Sequence, residues 1–390
     1  MAKTKKLVTY GGWYQRTTLH LSEAFDFFLA GKSKLALDRQ KLKSLHKKLE
    51  LTEISRQTSY FEYIKAITKQ GIEIRYYEDG LYVLEMEAEN VEQAKKQLEK
   101  YYCENLEPAL NYIFSLGAPT PKLLANIKIQ NPTVVTIFED AKKSDKTYQE
   151  FGQVYSTIAS TEISVLKTHD YILLHLPKSS AGVGSELVEN LIFFREFKDQ
   201  LERYLQIHRT IWEEIAKIKD QKEITGKEVG LVRSKLDEYQ TTISLINNRI
   251  NQMGSYVKTR AAISKKMAIE EHLTTLFQFK FETLIDTLEY IKEIWKMTND
   301  YLLSSIQNLV EIKNQSAGRG LQSLQVITSI GVISAMVGFV TKNEWPKFTF
   351  VGWLYFLGVI LITWLLNYII RTIYNNKKYS LSFKQRKENI

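Results

Sequence analysis

The chain has 390 residues, of which 44% are hydrophobic and 25% charged, and it carries a formal net charge of +9 and a single cysteine. This length allows two or three domains, and one cysteine excludes an internal disulfide and suits a reducing compartment. The positive excess lies at the two ends, since residues 1–16 hold four basic residues and no acidic one, and residues 371–390 hold six basic residues and one acidic one. We therefore expect no broad basic groove and no direct nucleic-acid binding.

Residues 1–177 are predicted to form an α/β domain that senses a ligand. Two apolar runs, 72–77 and 81–87, flank a Glu78-Asp79-Gly80 turn, which is typical of a β-hairpin. Further strands are predicted at 133–138, 163–166 and 171–176, and helices at 35–49 and 91–112. A region of this size buries a core of its own.

A run near the N-terminus combines residue types suited to a nucleotide. Glycines let the backbone approach a ligand, aromatic rings stack on a base, and a basic residue with threonines holds phosphate. The candidate ligand residues in this run are Gly11, Gly12, Trp13, Tyr14, Arg16, Thr17 and Thr18, and Arg203, His208 and Arg209 are candidates to complete the pocket. The alternative interpretation is a turn at a strand edge with aromatic side chains in the core, and no GxGxxG or GxxxxGK[ST] phosphate loop occurs.

Residues 178–320 are predicted to form a long helical stalk. No proline occurs between residues 178 and 345, and proline costs about 3 kcal/mol inside a helix. Glycines at 226 and 230 predict a turn between a helix at 185–223 and a longer one from 227 onward, which would run unbroken from near residue 260 to 340. Residues of two interleaved registers recur every seven positions, at Phe281, Leu288, Trp295, Leu302 and Leu309, and at Leu284, Ile291, Thr298, Ser305 and Ile312. Such a seam must pack against other helices, from this chain or from copies of it.

Two apolar runs follow, at 321–340 and 348–370, separated by the short segment 341–347. Each is long enough to cross the ~30 Å hydrocarbon core at ~1.5 Å per residue, so the pair predicts a transmembrane hairpin. The positive-inside rule places both termini in the cytoplasm, and we expect the basic tail, 371–390, to meet anionic membrane lipids. The predicted fold class is therefore an α+β membrane protein with a cytosolic α/β domain, a long helical stalk and two C-terminal transmembrane helices. Its predicted location is multi-pass in the inner (plasma) membrane.

Polar residues continue into the first apolar run at helical spacing. Polar side chains inside a span are costly unless they face a cavity or a partner, so we expect polar rings around a pore in a homo-oligomer. The candidate pore-lining residues are Asn308, Gln315, Gln322, Gln325 and Ser329, followed by Val332 and Met336 as an apolar constriction that gates by dewetting. The alternative is that the polar residues form hydrogen bonds between packed helices.

The order of these parts resembles the CorA family of two-span membrane metal-ion transporters. That resemblance implies a pentamer whose first span lines the pore, a regulatory divalent cation with unknown ligands, and an external loop that begins with Gly-Met-Asn. Here the glycine is followed by phenylalanine and valine, so the ion-selecting asparagine is missing. The external-loop candidates are Gly338, Thr341, Lys342, Asn343 and Glu344, of which Asn343 or Glu344 would substitute for the motif.

Residues 11–23 are similar to the opening of a CorA branch that accompanies type III CRISPR systems as a membrane effector in antiviral defence. This resemblance implies an ion channel or effector gated by a nucleotide second messenger, such as SAM-AMP or a cyclic oligoadenylate, bound to the cytosolic region. Two alternatives stay open: a constitutive Mg2+-like transporter regulated by intracellular metal, and a membrane-anchored scaffold without a pore. No HExxH or GxSxG pattern occurs, so we do not expect an enzyme.

Overall fold

A computed structural model describes residues 5–14, 21–58, 61–116, 133–138, 150–160, 163–177, 181–220 and 223–342, and part of residues 350–380. Within these residues the chain is mixed α+β, with eight α-helices and a nine-stranded sheet. The sheet lies entirely in the first 176 residues, and the long helices follow it in the chain.

The strands of the large sheet are β1 (Lys5–Trp13), β2 (Leu51–Thr58), β3 (Glu62–Thr68), β4 (Glu73–Tyr77), β5 (Leu81–Glu87), β6 (Thr133–Phe138), β7 (Ser156–Ala159), β8 (Ser164–Lys167) and β9 (Tyr171–Leu176). The helices are α1 (Leu21–Ala30), α2 (Arg39–Leu49), α3 (Val91–Tyr101), α4 (Glu107–Ile113), α5 (Ala181–Asp220), α6 (Gly226–Lys266), α7 (Glu270–Phe277) and α8 (Phe281–Lys342). A π-helical turn, Tyr102–Leu106, joins α3 to α4. Two short strands, β10 (Glu223–Thr225) and β11 (Lys378–Ser380), pair with each other.

The nine strands lie in the order β2-β3-β4-β5-β1-β6-β9-β8-β7, so the N-terminal strand is at the centre of the sheet. Neighbouring strands are antiparallel except β6 and β9, which are parallel. The predicted hairpin is confirmed, because β4 and β5 pair across the turn that contains Asp79 and Gly80. Gly80 has a φ of 86°, which side-chain-bearing residues rarely adopt.

One face of the sheet packs against α1–α4, and local signals place these helices. Asp38 caps α2 by accepting a hydrogen bond from the Lys41 amide at 2.7 Å, and Asn90 caps α3 in the same way. The helix predicted at 35–49 therefore begins only after Asp38. Buried apolar residues of these four helices and of alternate strand positions form one hydrophobic core.

Two successive glycines of β1 show how closely both faces of the sheet are packed. A Cβ on Gly11 would lie 2.8 Å from Ile192 Cδ1 of α5 and 2.8 Å from the carbonyl oxygen of Tyr82. A Cβ on Gly12 would lie 2.6 Å from the Tyr82 hydroxyl. Because side-chain carbons do not approach that closely, packing on both faces requires glycine here. The α5 helix thus covers the face opposite α1–α4.

The chain divides into two compact units. The first comprises Met1–Ile207 and Leu245–Glu293, and the second comprises His208–Ser244 and Ile294–Ile390. The division falls within α5, α6 and α8, so each of these helices contributes to both units. The domain limits predicted from the sequence were 1–177, 178–320, 321–370 and 371–390. They were placed where composition and apolar pattern change along the chain, whereas the two units are defined by contacts between residues.

The heptad seam of α8 is buried, as predicted. Its five positions from Phe281 to Leu309 are between 0% and 4% exposed. In the first unit, the Phe281 ring lies 4.5 Å from that of Phe194, and in the second, Trp295 contacts His208 at 5.7 Å, both measured between ring centroids. The seam therefore has packing partners within the same chain.

The predicted unbroken helix from near residue 260 is wrong. The α6 helix ends at Lys266 and α8 begins at Phe281, with the short α7 between them. Ala268 and Gln278 adopt positive φ angles of 56° and 59°, which a continuing helix cannot accommodate. No glycine or proline occurs in this segment, so the sequence carried no recognisable sign of either break.

The predicted transmembrane hairpin is also corrected. In the part of the chain that the structure describes, no helix is both long enough and apolar enough to cross a membrane. The first run is the end of the 62-residue helix α8, and residues 321–329 contain five polar side chains, each of which is costly to transfer into hydrocarbon. The second run, 348–370, lies only partly within the described residues. The predicted membrane fold class and the predicted multi-pass plasma-membrane location are therefore wrong.

Part of the predicted basic tail belongs to the second unit. Lys378–Ser380 pairs antiparallel with Glu223–Thr225, the link between α5 and α6. Tyr379 lies opposite Ile224, which is 1% exposed. This segment contributes a strand, and residues 381–390 lie outside the described residues.

Candidate functional site

The first unit holds a cavity of about 210 Å³ between the sheet and two helices. Its walls come from β3 and β4 with the residue before β3, from the start of α5, and from the C-terminal half of α6. Its charged and aromatic lining consists of Arg75, Glu186, Glu189, Arg260, Phe61, Tyr63 and Tyr77. Two basic groups, two acidic groups and three rings therefore surround one small space.

Two stacked tyrosines form the sheet side of the cavity. Tyr63 of β3 and Tyr77 of β4 are opposite each other in the antiparallel register, so both side chains project from the same face. Their ring centroids are 4.9 Å apart, with an interplanar angle of 28°. Burial raises the pKa of Tyr77 well above its ordinary value, so its hydroxyl stays protonated. The pair offers a ring surface on which a flat ligand can stack.

Arg75, in the middle of β4, is 8% exposed and held by carboxylates. Its Nη2 lies 3.1 Å from Glu85 Oε2 and its Nη1 lies 3.1 Å from Glu189 Oε1, and it also donates to Ser185 Oγ. Burial lowers the pKa of Arg75, but Glu189 and Glu85 outweigh burial and raise it overall. Its Nε makes no hydrogen bond within the described residues.

Arg260, on α6, is 4% exposed and pairs with Asp79, which is fully buried in the β4–β5 turn. The distance from Arg260 Nε to Asp79 Oδ2 is 2.5 Å. The guanidinium carbon lies 5.0, 5.4 and 4.8 Å from the ring centroids of Phe61, Tyr77 and Phe193, within cation–π range. Burial lowers the pKa of Arg260, and the Asp79 charge and hydrogen bond more than offset that effect. Its buried Nη2 has no hydrogen-bond partner among the described residues, so one donor stays unused.

Glu186 is the acidic group of the cavity that has no basic partner in contact. Glu189, one helical turn away, pairs with Arg75, whereas no described residue forms an ion pair or hydrogen bond with the Glu186 carboxylate. Burial, and then the charge of Glu189, raise the pKa of Glu186 to about 7. The carboxyl therefore releases its proton only near neutral pH and above.

These groups form a pattern of one hydrogen-bond acceptor and one donor beside a ring surface. Above pH 7 the Glu186 carboxylate accepts hydrogen bonds, and Arg260 Nη2 donates them. Adenine carries the reverse pattern, with an amino donor at N6 and an acceptor at N7, whereas guanine carries acceptors at both O6 and N7. Because both arginines already face carboxylates, the cavity is not organised around a free phosphate.

Trp13 and Tyr14, predicted to contact a ligand, lie in the core and are not part of the cavity lining. Trp13 Nε1 donates to the Asp79 carbonyl oxygen at 2.5 Å, and its ring stacks on Phe197 at 5.7 Å. The Tyr14 hydroxyl donates to Asn111 Oδ1 at 2.7 Å. With the tightly packed glycines before them, these residues hold the turn that carries Asp79, and their role as ligand contacts stays a prediction.

The structure does not bring the other predicted ligand residues together as a set. Arg16, Thr17 and Thr18 lie outside the described residues. Arg203 is half-buried in the first unit, whereas His208 and Arg209 belong to the second. His208 Nε2 lies 2.7 Å from Thr298 Oγ1, and burial lowers the pKa of this histidine.

The predicted pore-lining residues all belong to α8. Asn308 is half-buried, Gln325 and Ser329 are exposed, and the side chains of Gln315, Gln322, Val332 and Met336 lie outside the described residues. Ser329 Oγ donates to the Gln325 carbonyl oxygen at 2.7 Å, so this hydroxyl is satisfied within its own helix. Their place in a pore stays a prediction.

The segment predicted as an external loop begins in helical conformation. Gly338, Thr341 and Lys342 belong to the last turns of α8, and Asn343 and Glu344 lie outside the described residues. No cluster of three or more His, Cys, Asp or Glu side chains within the described ranges could hold a metal ion. The predicted divalent cation, whose ligands the sequence did not identify, stays a prediction.

Sequence reasoning did not single out Arg75, Glu186 or Arg260. One signal was available: Arg75 interrupts the otherwise apolar centre of Glu73–Tyr77, and a charge in a buried strand requires a partner. Glu186 and Arg260 are far apart in the sequence and on different helices, so no local pattern connects them. No protein-family model and no curated protein matches the chain, so the CorA resemblance also stays a prediction.

Proposed function

We propose that the first unit is a sensor for an adenine-nucleotide signal and that the adenine ring binds in the cavity between β3–β4 and α5–α6. The observation that carries this proposal is the pair of unused groups, the Glu186 carboxylate and Arg260 Nη2, beside the stacked tyrosines. A volume of about 210 Å³ is below the range of about 300–1,000 Å³ for whole drug-sized ligands. It suits one base and is too small for a complete cyclic oligoadenylate.

In this arrangement the adenine ring stacks on Tyr63, its N6 amino group donates to Glu186, and a ring nitrogen accepts from Arg260 Nη2. The contact with Arg260 satisfies a buried donor that has no other partner among the described residues, and such groups contribute most to discrimination between ligands. The ribose and phosphate extend out of the cavity. Adenine is favoured over guanine because a guanine O6 would face the Glu186 carboxylate.

The ligand acts by shifting a conformational equilibrium. It can do so only if it binds one arrangement of α5 and α6 more tightly than another. Both helices line the cavity and both continue beyond the first unit, so they are the elements through which binding would be transmitted. The effector step that follows, which sequence reasoning expected to be ion conduction, stays a prediction.

Isothermal titration of the full chain with adenosine and AMP tests the proposal. We expect binding by the wild type and a loss of about tenfold or more for Tyr63→Leu and for Glu186→Ala, since each removes one principal contact. Tyr155→Leu is the matched control, because Tyr155 is 70% exposed and lies outside the cavity lining. Equal affinity of Tyr63→Leu, Glu186→Ala and Tyr155→Leu for adenosine would contradict the proposal.

A further inference from the structure

Arg260 keeps one donor unused although a carboxylate lies directly beside it. Its Nε donates to Asp79 Oδ2 at 2.5 Å, whereas its buried Nη2 has no hydrogen-bond partner among the described residues. A guanidinium is a planar fork that often binds both oxygens of one carboxylate. Here Asp79 accepts from Nε and not from Nη2, so the second donor of the fork is left for another acceptor.

The other oxygen of Asp79 explains this arrangement. Oδ1 accepts a hydrogen bond at 3.1 Å from the backbone amide of Leu81, the first residue of β5. Asp79 is 0% exposed, so the protein alone sets the orientation of its carboxylate. The carboxylate cannot turn towards Nη2 without losing its bond to Leu81, and a lost bond is costly in a buried site.

The end of β1 holds the turn that carries Asp79. Trp13 Nε1 donates to the Asp79 carbonyl oxygen at 2.5 Å, and the Tyr14 amide donates to the Gly80 carbonyl oxygen at 2.7 Å. The indole is itself fixed by stacking on Phe197, with 5.7 Å between the ring centroids. The position of the Asp79 carboxylate therefore depends on Trp13.

Aromatic rings and Asp79 restrict Arg260 in different ways. The rings of Phe61, Tyr77 and Phe193 lie within 5.4 Å of the guanidinium carbon and confine the group between them. Such ring contacts have no preferred direction within the guanidinium plane, whereas a hydrogen bond does. Asp79 is the one carboxylate in contact with Arg260 among the described residues, so it sets where Nη2 points.

We propose that Asp79 is a positioning residue of the site and that Trp13, acting through Asp79, aims Arg260 Nη2 at a ring nitrogen of the bound base. This inference rests on the proposed function and adds how the site distinguishes a ring nitrogen from a ring carbon. It also gives Trp13 an indirect part in binding, through the turn and not through stacking on the ligand.

Calorimetric titration of the full chain with adenosine and 7-deazaadenosine tests the inference. The second compound has a C–H group in place of N7 and keeps the amino group, so it can bond to Glu186 but not to Arg260. We expect the wild type to bind adenosine about tenfold tighter or more, because 7-deazaadenosine leaves a buried donor unsatisfied. Trp13→Phe removes the indole N–H and keeps an aromatic ring, and it should lower this ratio to about threefold or less.

The ratio of the two affinities separates positioning from a general loosening of the fold, which would weaken both nucleosides equally. Tyr14→Phe is the matched control, because it removes a hydroxyl that donates to Asn111 and not to Asp79, and it should keep the wild-type ratio. An unchanged ratio in Trp13→Phe would overturn the inference and leave the proposed function standing. So would equal binding of the two nucleosides by a wild type whose affinity still depends on Glu186. If the wild type binds neither nucleoside, both the inference and the proposed function are wrong.

A second measurement uses the wild-type chain alone. If Asp79 positions Arg260 before the ligand arrives, the Arg260 Nε–H proton is protected from exchange with water in the ligand-free protein. Nuclear magnetic resonance of the 15N-labelled full chain should show slow exchange of this proton both without and with adenosine, and the loss of the signal in Arg260→Lys assigns it. Fast exchange that becomes slow only when adenosine is added would show that the ligand orders the guanidinium, and would overturn the inference.

Discussion

The two units treat charge in opposite ways. In the first unit, Arg75 and Arg260 are 8% and 4% exposed and face carboxylates around a cavity. In the second unit the described buried positions of α8 are apolar or uncharged, and the ion pairs among its described residues are near the surface, such as Glu214 with Lys235 at 2.5 Å. Because buried ion pairs seldom stabilise a fold more than apolar residues would, their presence in one unit indicates a role other than stability. Our proposal assigns that role to the cavity they surround.

The largest expected effect comes from removing one buried charge in the first unit. Asp79→Asn keeps the shape of the side chain but removes the one carboxylate in direct contact with Arg260, which should lower the free energy of unfolding by about 3–5 kcal/mol. Urea denaturation followed by circular dichroism measures this loss. The double variant Asp79→Asn/Arg260→Met should recover much of it, because no buried charge then remains unpaired. If the loss in the double variant equals the sum of the losses in Asp79→Asn and Arg260→Met alone, the two charges are not coupled.

The second unit should be sensitive to lost apolar volume instead. Leu302 is fully buried in the seam of α8, so Leu302→Ala removes transfer free energy and leaves a cavity, at a cost of about 2–5 kcal/mol. The same denaturation experiment checks this value. Leu231→Ala, at a position that is 72% exposed, is the control and should change stability little. A small loss for Leu302→Ala would mean that the seam is not the core of this unit.

A third effect concerns the pH dependence of the first unit. The pKa of Glu186 is raised from 4.5 to about 7, so the folded protein binds this proton more tightly than the unfolded chain does. The resulting stabilisation of the folded state is complete below pH 4.5 and is lost as the pH rises to 7. Glu186→Gln cannot lose a proton. Its stability relative to the wild type should therefore rise between pH 4.5 and pH 8, by on the order of 2 kcal/mol after allowance for partial exposure. A difference that is constant across this range would show that Glu186 titrates normally.

The smallest effect is expected for charge removal in the second unit. Hydrogen bonds from Lys235 and Lys217 lower the pKa of Glu214 to about 2, but the group is near the surface, where solvent screens the interaction. Glu214→Gln should cost no more than about 1 kcal/mol at pH 7, and less in high salt. A loss as large as that of Asp79→Asn would remove the contrast between the two units.

The parts of the fold that could be predicted from the sequence are those with a local apolar pattern. The hairpin of β4 and β5, the fully buried strands β6 and β9, and the seam of α8 are continuous or periodic apolar patterns, and all were predicted. Strand β2 was missed because most of its residues are exposed and do not alternate. Strand β1 was missed because its two glycines suggested a ligand loop, whereas Ile192 and Tyr82, which require them, are distant in sequence.

The membrane prediction failed for a related reason. That prediction depended on the lengths of the two apolar runs. It assigned the polar residues within 321–329 to a pore, although these residues also make the first run less hydrophobic. The sequence did not allow the residues of the candidate site to be predicted as one group. Arg75 was recognisable as an unusual strand residue, but Glu186 and Arg260 meet it only through the packing of α5 and α6 on the sheet.

Titration of the full chain with adenosine and inosine tests the central claim, that Glu186 reads the amino group of an adenine. Inosine differs from adenosine at this edge by an oxygen acceptor at C6 in place of the amino donor. At pH 8, where Glu186 is ionised, we predict that adenosine binds about tenfold tighter or more, and that the gap narrows at pH 5.5, where a protonated Glu186 can donate to that oxygen. Equal binding of the two nucleosides at both pH values, or tighter binding of inosine at pH 8, would contradict the account.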